Sequence, residues 1–202
     1  MPAFVQQVAV SYVGQGYWFY VTGRVPKGKD AASVDRKLVE RYGAGVSKWA
    51  RARRKVGGFA NVRYLRHREF FILLATRGEH PFFRLEGDIR DVRREPIKFG
   101  GYSIGCRLGV DRLYHPSVRI ELGEYRRLKA YFVVLARRRP AAFVADELSA
   151  LPYEPYAPVR RQLLELLRAV NRERSSGGLV PVSLAALRLR RRPLRIFDVN
   201  RP

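Results

Sequence analysis

The chain has 202 residues, 47% of them apolar, and carries 40 Lys and Arg against 18 Asp and Glu, a formal charge of +22 at pH 7. That length and apolar content are enough for a real core, so disorder is not the default, and they suit one domain or one domain with a small appendage. The single cysteine, Cys106, excludes an intramolecular disulfide framework and a Cys-rich zinc site.

Residues 4–12 and 17–25 are rich in β-branched and aromatic side chains and flank Val13-Gly14-Gln15-Gly16, which predicts a hairpin. The second run is continuously apolar, as expected of a strand buried on both faces. After a turn at residues 26–30, Val34, Leu38 and Val39 predict a helix over 31–42, stopped by Gly43. A short basic helix follows, with Ser47 as N-cap and Gly57 as a left-handed stop. On its 3.6-residue period Trp49, Ala52 and Val56 share a face expected to dock, with Trp49 packing the helix down. Lys48, Arg51 and Lys55 share another, beside Arg54.

Residues 59–66 alternate as a strand, and the apolar run at 70–75 reads as a central one, with a tight turn at His67-Arg68. The only acid-rich stretch, 78–95, mixes Glu79, Glu86, Asp88, Asp91 and Glu95 with four arginines. Residues 97–107, with Gly100, Gly101 and Gly105, suggest one kinked or bulged strand, and 118–122 a short one. Tyr125, Leu128, Phe132 and Leu135 define a helix over 123–139. Beyond Pro140 come a short helix at 141–151, a linker rich in Pro and Tyr at 152–158, and an amphipathic helix at 159–174 ended by Gly177-Gly178. The expected fold is α+β: an antiparallel sheet of about five strands with the helices at 31–42 and 123–139 packed on it, forming a core of residues 1–139. Residues 140–202 form a helical extension with a basic tail.

A charge so far from zero repels itself in a compact state unless a polyanion lies against it, so nucleic acid is the implied partner. Arginine supplies 33 of the cations and lysine 7, and the planar guanidinium pairs bidentately with phosphate. Residues 41–68 hold nine Lys or Arg and no acid, and residues 174–197 hold no acid either. The candidate binding residues are therefore Lys48, Arg51, Arg53, Arg54, Lys55, Arg63, Arg66 and Arg68, together with Arg188, Arg190, Arg191 and Arg192 of the tail. Tyr17, Trp18, Tyr20, Trp49, Tyr64 and Tyr102 lie among these bases and offer rings to unpaired bases, which favours RNA over DNA.

The expected function is nucleic-acid binding, as a subunit of a ribonucleoprotein or mobile-element complex with further protein partners. The alternative is a small nuclease acting on RNA or DNA, with His80 as the candidate catalytic base beside Glu79. No cofactor is expected unless that alternative holds, in which case Glu86, Asp88 and Asp91 could hold a divalent metal. No His-x-His pair occurs and the apolar strand has no histidine, so Tyr125 and Tyr131 are not read as nucleophiles. The N-terminus lacks a basic segment followed by a long apolar one, and no apolar run nears the roughly 18 residues that span a bilayer. A cytoplasmic protein without a membrane partner is expected.

Overall fold

The computed structural model describes residues 1–190. The chain forms two compact units, one of Met1–Ile97 with Ile104–Pro116, the other of Lys98–Ser103 with the described part of Ser117–Leu194. This division does not follow the expected boundary at residue 139.

The first unit begins with a helix where a strand was expected. α1 (Pro2–Gln6) continues as a π-helical turn, Gln7–Tyr12, and a 3-10 turn, Val13–Gln15. Pro2 suits a first helical turn, whose amide would lack a partner anyway. Phe4, Val5, Val8, Ala9 and Val13 are buried, a helical spacing that one strand face could not match. Tertiary burial here overrides the β propensity of the individual residues.

β1 (Phe19–Arg24), α2 (Ala31–Arg41), α3 (Lys48–Val56), β2 (Val62–His67), β3 (Phe70–Ala75), α4 (Phe82–Leu85) and β4 (Arg90–Asp91) follow. The strands form an antiparallel sheet in the order β2-β3-β1-β4. β1 is thus central, as its sequence predicts, and the connectivity is that of two interleaved split β-α-β units.

Register decides what each face carries. Tyr64, Leu73 and Val21 align across the strands, as do Val62, Ala75 and Phe19. This face packs with Leu38, Tyr42, Phe82 and Phe83 from the helical side. Gly23 leaves room for the Phe71 ring, which a Cβ there would meet at 2.3 Å and displace. The opposite face holds Tyr20, Ile72 and Leu74, all buried, and the Phe4 ring of α1 meets Phe70 edge-on at 6.0 Å. With helices on both sides, β3 is apolar on both faces, which accounts for its unbroken run.

The β2-β3 turn is Arg68-Glu69 rather than His67-Arg68, since His67 still pairs with Phe70 and Arg68 takes a φ of 55°. Residues 97–107 are not one bulged strand. β5 (Ile97–Phe99) and β6 (Tyr102–Leu108) are joined by Gly100-Gly101 at φ 55° and 78°, a two-residue turn that requires positive φ. With β7 (Tyr114–Ile120) they make a three-stranded sheet in the order β5-β6-β7, so the described residues hold seven strands in two sheets rather than about five in one.

In the second unit α5 (Leu122–Arg138), α6 (Ala141–Ser149) and α7 (Ala157–Ser176) form a helical cluster. α5, expected against the first sheet, packs along α7 instead. Val159, Leu163, Leu166, Leu167 and Val170 of α7 are buried, as their spacing predicts. Arg174 is buried too, 3% exposed. Its Nε donates to the Val180 carbonyl and its Nη1 to the Ala136 and Arg139 carbonyls, both at 2.9 Å. It thereby satisfies acceptors that the end of α5 leaves open.

Candidate nucleic-acid interface

α3 forms where its sequence places it, but it faces the other way. Ser47 Oγ accepts from the Ala50 amide at 3.2 Å, the expected N-cap. The left-handed stop falls on Gly58 at φ 80°, while Gly57 stays at −77°. Trp49 is 79% exposed and Val56 91%, so the apolar stripe points to solvent. The helix is held by polar groups instead. Arg51 Nη1 donates to the Val46 carbonyl at 2.7 Å, and Asn61 Nδ2 donates to the Arg51 carbonyl at 3.1 Å. Nine residues with one Trp and one Val offer little apolar area, and these bonds determine which side turns inward.

This orientation leaves Lys48, Arg53 and Lys55 exposed and brings Arg51 and Arg54 half-buried against the unit. Among the described residues none of the five has a carboxylate within ion-pair distance.

A cavity of about 320 Å³ opens between α3 and the N-terminal helix, lined among others by Arg51, Lys55, Arg63, Asn61, Tyr12 and Tyr17. No Asp or Glu lines it. Arg63 Nη1 donates to the Ala44 carbonyl at 3.1 Å, and its guanidinium lies 5.9 Å from the Tyr12 ring centre. Tyr12 and Tyr17 meet edge-on at 5.5 Å. Burial raises the Tyr17 pKa although the Arg63 and Arg51 charges oppose it, so the phenol stays protonated and can donate. Asn61, 4% exposed, receives a firm backbone anchor as its amide donates to Thr76 Oγ1 at 2.9 Å. Asn61 Oδ1 and Arg63 Nε are buried and have no partner among the described residues, a costly arrangement in a protein interior. The site therefore offers fixed positive charge, hydroxyl donors and one free acceptor.

The other sequence candidates do not all join this surface. Arg66 is spent inside the protein: its Nε and Nη2 donate to the Asp35 carboxylate of α2, on which Tyr64 also converges. Burial pushes the Asp35 carboxyl up, but the hydrogen bonds from Arg66 and Tyr64 outweigh it and hold the group below its usual range. Arg68 is exposed at the β2-β3 turn. Arg188 and Arg190 are exposed in the second unit, and Arg191 and Arg192 lie outside the described residues. Of the six aromatic candidates, Tyr17, Tyr20 and Tyr102 are buried, Tyr64 is bonded to Asp35, and Trp18 lies under the Arg93 guanidinium at 4.3 Å. Trp49, expected to be the anchor, is the exposed one.

Total charge alone would not have located this site. Residues 1–97 and 104–116 carry 21 Lys and Arg against 10 acids, and residues 98–103 and 117–190 carry 15 against 7. On the α3 flank three cations, Arg51, Lys55 and Arg63, meet tyrosine hydroxyls around a cavity without carboxylates, whereas a cavity in the second unit has Arg168 and Arg172 with no tyrosine.

His80 lies in a second cavity of the same unit, with Glu79, Arg54 and Arg84. Its Nδ1 accepts from the Phe82 amide at 3.0 Å, so that lone pair holds the start of α4. Burial and then the Arg54 charge lower its pKa, against a hydrogen bond with the Tyr42 backbone. Glu86 bonds the Tyr42 hydroxyl, Asp88 pairs with Arg90 and Asp91 with Arg93. Among the described residues no group of three His, Cys, Asp or Glu is arranged to hold a metal. No helix among the described residues is long and apolar enough to cross a membrane. Comparison with family models, curated proteins and solved structures finds no match to this chain.

Proposed function

We propose that this chain is a cytoplasmic nucleic-acid-binding protein, RNA ahead of DNA, acting within a ribonucleoprotein or mobile-element complex and using the surface of α3 and the cavity beside it. The observation that carries the reading is the convergence of Arg51, Lys55 and Arg63 on a cavity with tyrosine hydroxyls and no carboxylate. Phosphate oxygens suit such a site, since every group on its cationic side donates. The free Asn61 acceptor is matched by a donor that phosphate lacks and ribose has, the 2′-hydroxyl. Exposed Trp49 adds a ring for an unpaired base. Both faces of the four-stranded sheet are covered within its unit, so recognition falls to helix and cavity rather than to an open sheet.

The test is a salt titration of labelled single-stranded RNA and duplex DNA against the protein and a Lys48→Glu, Arg53→Glu, Lys55→Glu variant. These side chains are exposed and hold no backbone bond, so circular dichroism should be unchanged. Loss of about three phosphate contacts should reduce the slope of log K against log salt by about 2. An unchanged slope rejects this placement.

A further inference from the structure

The cavity beside His80 has no role in the reading above. It measures about 520 Å³ and is lined by Arg54, Phe59, Glu79, His80, Phe83 and Arg84, with Gly78 and Pro81 completing the wall, a size that admits a nucleotide. Its frame is rigid. Ala60 donates to the Glu79 carbonyl and Glu79 to the Gly58 carbonyl, both at 3.0 Å, while a Cβ on Gly78 would lie 2.5 Å from Gly58 O. Gly57 likewise lets the Phe59 ring lie close, 3.2 Å from where its Cβ would be. The result is an exposed ring at the cavity wall: Phe59 is 49% exposed.

The chemistry of the lining divides in two. Arg54 and Arg84 supply cations, and Arg54 Nε is buried without a partner among the described residues. Phe59 and Phe83 supply rings, and Phe83 is fixed edge-on against Phe19 and Phe82 at 5.3 Å. Glu79 is exposed, with no ion pair among the described residues. A ligand matched to all three parts has an aromatic face, an amine donor and a phosphate.

We propose that this cavity takes one unstacked nucleotide of a single strand, its base against Phe59 and Phe83, its phosphate on Arg54 and Arg84, and its exocyclic amine donating to Glu79. The inference rests on the nucleic-acid reading and narrows it, since a paired base inside a duplex cannot present its face to Phe59. Cytosine, adenine and guanine carry an exocyclic amine that Glu79 would accept from, and uracil does not. α3 contributes to both cavities, Arg54 to this one and Arg51 and Lys55 to the other.

The test compares labelled single-stranded oligo(C), oligo(U) and an RNA duplex of equal length against the parent chain, Phe59→Ala with Arg84→Gln, and Glu79→Gln. Both of the first two side chains are exposed, so folding should persist. Single-strand affinity should fall about tenfold in the double variant, the loss of one stacked base and one phosphate contact, while duplex affinity stays within about twofold. Glu79→Gln should abolish a preference for oligo(C) over oligo(U). Unchanged single-strand affinity in the double variant, with the parent still binding, overturns the cavity assignment and leaves the α3 surface standing. A parent chain that binds none of the three polymers overturns both.

Discussion

α3 and α7 are both arginine-rich amphipathic helices, and they use their two faces in opposite ways. α7 buries six of its residues, while α3 buries none. In α7 the apolar stripe turns inward and even one arginine, Arg174, serves the interior. In α3 the stripe of Trp49, Ala52 and Val56 is exposed, while Arg51 and Arg54 are half-buried and Arg51 donates to the Val46 carbonyl. Periodicity states which residues share a face; the available apolar area and the backbone partners decide which face is covered.

If that contrast is sound, the largest effect should come from Arg174→Ala. Three carbonyls would lose a charged donor in a buried place, so the variant should be less stable by about 3 kcal/mol or more. On a chain of this size that is a melting temperature lower by roughly 6 to 12 °C. A loss within about 0.5 kcal/mol would mean that Arg174 is not holding the α5 terminus.

Asp35→Asn should have an intermediate effect and a distinct pH signature. The Asp35 pKa is depressed in the folded state, so its contribution is present above the ordinary carboxylate pKa of about 4 and is lost as pH falls through the lower folded value. Denaturation at neutral pH should show the variant less stable by about 1 kcal/mol. The gap between variant and parent should close in acid, and a gap that stays constant with pH would count against the Asp35-Arg66-Tyr64 cluster as its source.

The smallest effect sharpens the comparison most. Trp49→Ser should leave stability within about 0.5 kcal/mol, as for an exposed residue without packing. It should weaken single-stranded RNA binding several-fold if the ring stacks on a base. A large loss of stability would restore the docking role that periodicity suggested.

Much of the fold was legible. The helices at 31–42, 123–139 and 159–174, the Ser47 cap and the buried runs at 17–25 and 70–75 rest on local patterns that the structure keeps. The N-terminal helix was missed although its signal was present: Pro2 and the buried set Phe4, Val5, Val8, Ala9 and Val13 have helical spacing. β4 could hardly be read, since two residues, Arg90 and Asp91, pair only because β1 offers them an edge. For the candidate site, Arg51, Lys55 and Arg63 were legible as bases, but not the cavity that gathers them. Tyr12, Asn61 and Thr76 reach it from separate segments and carry no marking of their own.

The order of residues along the chain was enough to establish the cationic excess, its concentration between residues 41 and 68, and most helices and strands, because charge and short-range periodicity are local properties. The direction in which α3 faces, the commitment of Arg66 to Asp35 and of Arg174 to the α5 carbonyls, and the meeting of Arg51, Lys55 and Arg63 around Asn61 were decided by folding. Each depends on which distant groups come within hydrogen-bond reach, and that is a property of three-dimensional packing rather than of neighbours in the chain.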